Sequence, residues 1–320
     1  MFHVILRLSA LLLPASLGFV LLANALAPQL DAGEQVVFVA RASGQLQLMI
    51  ADLSRGLRAA MPQAGGDVFQ PSVSPHSGEV VFASRSGGDA ELYLLRLGDS
   101  APRQLTDNSF DDLSPQWSPV GDAIVYQANP RGVHQFFLID ADSGVPRQLS
   151  FNVTDYNRPS WSPDGSALAF DAGGDIFIFD IASGTSQALT HDEYGAYDEY
   201  WDAQTVWSPD GGTIVYDSFR EGSWNLTKLD LASGRVSPLT PAGRDEQGAT
   251  FTNQPGQIAY QSVTKFPGLL FLLDLDRPSA MRALSIPPAY GSPLHLLFGN
   301  TKALTLEGID ILEPAWLKSR

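Results

Sequence analysis

The chain has 320 residues, of which 44% are apolar and only 17% charged, and its formal net charge is −15. That balance describes a globular chain able to bury a large core, and it excludes partners that need a basic surface, such as nucleic acid or an anionic bilayer. Cysteine is absent, which removes disulfides, thiolate zinc sites, thiol nucleophiles and a lipidated anchor together.

Leu8–Ala27 carries no charge and is mostly Leu, Ala, Val and Phe. Twenty residues at about 1.5 Å each span about 30 Å, the thickness of the hydrocarbon core. The apolar region of a cleaved signal is shorter, about 7–15 residues. Residues 1–27 are therefore expected to form an apolar helix that anchors the chain in a membrane. The alternative is cleavage after Ala23-Asn24-Ala25 or Ala25-Leu26-Ala27. Arg7 precedes the run, and Asp31 and Glu34 follow it. The positive-inside bias puts the N-terminus in the cytoplasm and residues 28–320 outside, which in a bacterium means an inner-membrane protein with a periplasmic body.

The body repeats itself. Val73-Ser74-Pro75, Trp117-Ser118-Pro119, Trp161-Ser162-Pro163-Asp164-Gly165 and Trp207-Ser208-Pro209-Asp210-Gly211 place serines at 74, 118, 162 and 208, in steps of 44, 44 and 46. Each copy reads as a short strand, a tight turn and a second strand such as Ala167–Phe170 or Thr213–Tyr216. A turn with a basic residue follows (Arg41, Arg85, Arg131, Arg220 or Lys265), then a third strand ending in Asp. A Ser-Gly turn leads to a fourth strand closing on Leu105-Thr106, Leu149-Ser150, Leu189-Thr190 or Leu239-Thr240. Four strands at this period are a propeller blade, so an all-β propeller is predicted.

Residues 68–290 hold five clear units, and residues 33–61 supply three strands of another. Six blades are expected, with Leu294–Phe298 as the missing strand that joins the two ends. The alternative takes that strand from Pro28–Leu30 and makes 291–313 a thin seventh blade.

The Trp-Ser-Pro-Asp-Gly turn, the Asp-x-x-Ser-Gly turn and the closing Leu-Thr resemble the TolB-type (WD40-like) propeller repeat over residues 68–260. The resemblance implies the fold. Such blades serve several functions, from a periplasmic Tol-Pal component to peptidase propellers. Only residues 28–34 lie between the apolar run and the first blade strand. That leaves no room for the separate N-terminal domain of the TolB protein itself.

Enzyme motifs are missing: there is no Gly-x-Ser-x-Gly elbow, no His-Glu-x-x-His, no P-loop and no dinucleotide glycine pattern. The histidines at 3, 76, 134, 191 and 295 are scattered and read as surface residues. A metal-dependent, lactonase-like hydrolase would need oxygen ligands on the innermost strands, which read Pro-Ser-Trp and Pro-Gln-Trp instead.

Two features stand out. The connection between the fourth and fifth units carries Asp192, Glu193, Tyr194, Tyr197, Asp198, Glu199, Tyr200, Trp201 and Asp202 with no basic residue. Aromatics supply contact area and acids select a basic partner, so a protein-docking loop is expected. An acid also precedes the first strand of most units: Asp67, Asp111 and Asp112, Asp155, Asp245 and Glu246. These are expected as an acidic ring at the channel mouth, with the basic turns on the opposite face. The bland alternative for both is a solvated loop and turn capping. No cofactor is expected beyond a calcium ion in the channel or acidic loop.

The expected function is a non-catalytic, membrane-anchored scaffold or accessory subunit that docks on an integral-membrane or envelope complex. The alternatives are a soluble binder of a peptide, glycan or small ligand, and the lactonase-like hydrolase.

Overall fold

A computed structural model describes residues 35–42, 45–52, 57–150, 157–191, 201–220, 222–243, 245–252, 256–262, 269–283 and 311–316. Among these residues there are six sheets of four strands. The first blade holds β1 (Gln35–Ala42), β2 (Gln45–Asp52) and β3 (Leu57–Ala60). The second holds β4 (Val68–Val73), β5 (Val80–Ser84), β6 (Glu91–Leu95) and β7 (Arg103–Gln104). The third holds β8 (Asp112–Trp117), β9 (Ala123–Ala128), β10 (Gln135–Asp140) and β11 (Pro146–Gln148). The fourth holds β12 (Asn157–Trp161), β13 (Ala167–Ala172), β14 (Asp175–Asp180) and β15 (Thr185–Ala188). The fifth holds β16 (Trp201–Trp207), β17 (Thr213–Arg220), β18 (Ser223–Asp230) and β19 (Arg235–Pro238). The sixth holds β20 (Glu246–Phe251), β21 (Gln257–Ser262), β22 (Leu269–Asp274) and β23 (Arg277–Ala283).

The last strand, β24 (Ile311–Trp316), returns to the first blade. It runs antiparallel to β1, with Trp316 opposite Val36 and Ile311 opposite Ala40. The chain ends close a six-bladed ring as expected, but with 311–316 as the closing strand. Leu294–Phe298 lies outside the described residues, as do Pro28–Leu30 and the apolar run 1–27. The seven-blade alternative fails because Ile311–Glu313 belongs to blade one. Glu313-Pro314-Ala315-Trp316 copies Arg158-Pro159-Ser160-Trp161. Proline suits this place because the innermost strand has a free edge where a missing N–H costs no ladder bond.

The core lies between blades, not within them. Val37, Leu48 and Ile50 of blade one cluster with Val68, Val80 and Phe82 of blade two. Leu92 meets Ile124 and Tyr126, and Phe136 meets Phe170 and Phe179. Ile176 meets Ile214 and Tyr216, and Val215 meets Ile258 and Tyr260. Each such side chain contributes about 1.5–3 kcal/mol when buried. Four blades add a facing aromatic pair on their second and third strands. These are Phe82 with Tyr93, Tyr126 with Phe137, Phe170 with Phe177 and Tyr260 with Phe271, with ring centroids 5.9, 5.6, 5.5 and 5.5 Å apart.

The repeat motifs are hydrogen-bond devices. Ser162 Oγ accepts the Ala167 N–H at 2.9 Å and donates to Asp164 Oδ1 at 2.6 Å; Ser208, Asp210 and Thr213 repeat both bonds. Gly165 must be glycine: its φ is +71°, and a Cβ there would lie 2.5 Å from Val120 Cγ2 of the neighbouring blade. Asp140, Asp180 and Asp230 each accept the N–H of the serine three residues on, at 2.8, 2.7 and 2.8 Å.

The closing Leu-Thr has the same logic. Thr106, Ser150, Thr190 and Thr240 each accept the N–H of Leu92, Phe136, Ile176 or Leu226 at 2.8–2.9 Å, always fourteen residues back. Three of these hydroxyls also donate to the preceding side chain, Glu91, Gln135 or Asp175. Thr240→Val leaves the buried Leu226 N–H without this partner and is expected to cost about 1–3 kcal/mol. Thr185→Val, at an exposed site, is expected to stay within about 0.5 kcal/mol. Urea unfolding of the two variants checks the contrast.

Candidate functional site

The innermost strands carry a common irregularity. Register skips between Phe69 and Ser72, Leu113 and Gln116, Asn157 and Ser160, Ala203 and Val206, and Gln247 and Thr250. The residue opening each bulge has left-handed φ: Gln70 55°, Ser114 51°, Arg158 36°, Gln204 51° and Gly248 69°. Four of the five are not glycine, and two-residue bulges of this kind store of order 1–3 kcal/mol of strain each. The surroundings hold three of the strained N–H groups. Ser114 donates to Gln70 Oε1 at 2.7 Å, Gln204 to Asp171 Oδ1 at 3.2 Å, and Gly248 to both Asp217 oxygens at 3.1 and 3.0 Å.

These bulges form the waist of the central channel. Gln70, Ser114, Arg158 and Gln204 line the compartments on both sides of it. Toward the start of the innermost strands is a chamber of about 350 Å³, also lined by Gln127, His134, Asp171, Trp224 and Gln247. Beyond the waist is a tighter space of about 140 Å³, walled by Pro71, Pro159, Val206 and Ala249 among others. At the waist Arg158 Nη1 donates to Gln204 Oε1 at 3.0 Å. Asp217, fully buried on the next blade, is pushed up to about 8 by burial, against the pull of the Gly248 N–H and the Arg158 charge.

The acids that precede the innermost strands divide into two kinds. Asp67, Asp111 and Asp245 each accept a backbone N–H from the preceding blade, twenty-one residues back: Leu46 at 2.8 Å, Ala90 at 2.8 Å and Trp224 at 3.1 Å. They stitch neighbouring blades together at the channel mouth. Asp112 and Glu246 are instead buried, 0% and 2% exposed. Asn108 donates to Asp112 Oδ2 at 2.8 Å and its N–H to Glu91 Oε1 at 2.7 Å. Burial first, and then the Glu91 carboxylate, push Asp112 up to about 7 against bonds from Thr106 and Asn108. Asp155 and Asp192–Tyr200 lie outside the described residues. Trp201 and Asp202 open β16, opposite Phe219 and Ser218.

Two expectations are corrected. The basic turns do not lie opposite the acids: Arg85 reaches Asp111 at 2.9 Å. In an antiparallel four-stranded blade the second-to-third turn and the exit to the next blade lie at the same end. His134 is not a plain surface residue, for it is half-buried and lines the chamber. Sequence reading also missed Gln70, Ser114, Arg158 and Gln204. Their signal was a polar residue three places before Val73 or a Trp, followed by proline in three of the four copies. Asp171 and Asp217 likewise follow the aromatic of the second strand, Phe170 or Tyr216. No group of three or more His, Asp or Glu among the described residues is placed to hold a metal ion.

Six four-stranded blades around a polar, strained channel define a six-bladed β-propeller. A family model described as the TolB beta propeller domain matches residues 23–199, and the chain belongs to that family. Against the curated proteins no match is found. The crystal structure of TolB from Acinetobacter baumannii is similar with a TM-score of 0.69 at 21% identity, covering 90% of this chain and 67% of that one. A putative TolB from Agrobacterium tumefaciens gives 0.58 at 18%, covering 78% and 88%. Hydrazine synthase from Kuenenia stuttgartiensis gives 0.66 at 12%, covering 93% and 49%. At these identities the likeness is one of fold.

The two raised carboxyls have a thermodynamic signature. An acid whose folded pKa lies above its unfolded value of about 3.9 holds a proton that the unfolded chain has released, so stability is lost as pH rises from about 4 to about 8. The melting temperature is expected to fall from pH 5 to pH 8. Asp217→Asn, which keeps an acceptor for the Gly248 N–H, is expected to flatten that fall. Parallel profiles for the two proteins would contradict the assignment.

Proposed function

We propose that this chain is a non-catalytic, membrane-anchored, extracytoplasmic propeller that serves as the interaction subunit of a membrane-associated complex, and that it docks through its channel-mouth face. One observation carries the reading. The connections 61–67, 105–111 and 239–245, which join one blade to the next, are seven residues long, and each ends in the aspartate that stitches the blades. Between β15 and β16 the same connection is 189–200, twelve residues.

Between β11 and β12 it is 149–156, eight residues, so seven or eight are enough to pass from blade to blade. The extra length falls on the stretch of sequence that holds Asp192, Glu193, Tyr194, Tyr197, Asp198, Glu199 and Tyr200, and these residues are the proposed docking surface. Aromatic side chains give area at low entropic cost, and acids steer a basic partner and reject an acidic one. Leu8–Ala27 supports a tether that keeps the propeller close to a membrane complex, where a weak docking face gains from high effective concentration.

The test is a mild-detergent pull-down of the tagged full-length protein from its native membranes, with intact mass and co-purifying proteins read by mass spectrometry. Full mass with a stoichiometric membrane partner is expected. Changing Asp192, Glu193, Asp198 and Glu199 together to their amides is expected to reduce partner retention about tenfold at low salt, with the melting temperature unchanged. A mass short of the first 25 or 27 residues with no partner, or unchanged retention in the variant, would overturn the proposal.

A further inference from the structure

We propose that the channel chamber is a binding site for a neutral polyhydroxylated ligand, a mono- or disaccharide, separate from the docking loop. Its lining has the chemistry of a hydroxyl-reading surface. Gln70, Gln127, Gln204 and Gln247 converge on it from four different blades. A carboxamide carries both an acceptor and two donors, which match a sugar hydroxyl that both gives and takes a hydrogen bond, although the Gln70 and Gln204 oxygens already accept from Ser114 and Arg158.

The fixed charges are opposite and paired in number, Arg158 and Asp171. A phosphate or tricarboxylate would meet a single guanidinium already donating to Gln204. A cation would meet that guanidinium and the carboxamide donors. A neutral polyol meets neither obstacle, and its hydroxyls use both the fork of Arg158 and the lone pairs of Asp171.

A second observation points to a ligand independently of the lining. Ser114 Oγ is buried at the waist, the residue being 4% exposed, with no hydrogen-bond partner among the described residues. Thr205 Oγ1, on the other side of the same waist, is 8% exposed and in the same condition. A buried hydroxyl without a partner is costly. Ser114 lines the chamber as well as the tighter space beyond the waist, and Thr205 lines the tighter space alone. The half-buried Trp224 adds a flat apolar face at the chamber wall, its ring centroid 5.3 Å from that of Phe219. The volume of about 350 Å³ sits at the small end of ligand pockets and suits one or two sugar rings.

The test is calorimetric and ligand-detected NMR titration of the full chain in detergent. The probes are glucose, N-acetylglucosamine, maltose and trehalose, set against citrate, inorganic phosphate and a neutral tripeptide. At least one saccharide is expected to bind with millimolar or tighter affinity and to raise the melting temperature. Gln247→Leu and Trp224→Leu are each expected to weaken that saccharide about tenfold. Gln247→Asn, which shortens the side chain and keeps the carboxamide, is expected to weaken it in the same direction if either of those variants fails to fold. Absence of saccharide binding up to about 50 mM, or binding confined to the anions or the peptide, would overturn the proposal.

Discussion

A blade with apolar side chains on both faces can exist only between two others. That constraint governs the molecule. Among the described residues the clusters that hold the core each span two blades, from Val37 with Val80 around to Val215 with Tyr260. No blade could bury Phe82, Phe136 or Tyr216 alone, so the ring must close, and β24 closes it by completing the first blade. Closure in turn sets the width of the channel and turns six innermost strand edges toward it.

The polar part of the structure follows from the same need. Short sheets leave many backbone groups at their ends, and buried donors must be paired. Thr106, Ser150, Thr190 and Thr240 take care of the third strands from within a blade, and Asp67, Asp111 and Asp245 do so from the next blade. Features that recur with the period are explained by these bonds. Features that break the period are left over: the twelve-residue connection 189–200, the single waist cation Arg158, and the buried carboxyls Asp171 and Asp217. The functional proposals rest on these departures.

Much of this was legible in the sequence. The blade, its turns and its closing Thr were visible because each motif residue makes a local bond within a few positions or within one hairpin. The pairing of the chain ends was also legible in kind. The closing strand itself was misplaced because Leu294–Phe298 is the more apolar candidate, while β24 announces itself only through Glu313-Pro314-Ala315-Trp316. The channel was nearly invisible. Its waist depends on positive φ at Gln70, Ser114, Arg158 and Gln204, a conformation that is unfavourable for non-glycine residues and, at the first three, is further disfavoured by the proline in the next position. Local propensity therefore argued against the very geometry that the ring imposes. The side on which the basic turns lie required only the parity of the strands, and the Arg85–Asp111 pair makes it plain.

The claim on which all else depends is that residues 311–316 complete blade one. The chain has no cysteine, so a single engineered pair gives a clean reading. Val37 and Ala315 stand opposite each other in the β1–β24 ladder. Facing residues of an antiparallel pair have Cα atoms about 4.5–5.5 Å apart, within the reach of a disulfide. The account predicts that Val37→Cys/Ala315→Cys oxidises quantitatively within the monomer, migrates faster on a non-reducing gel and melts at a higher temperature than its reduced form. A pair that stays reduced, or that links only between molecules, would contradict the six-bladed closure and with it the channel.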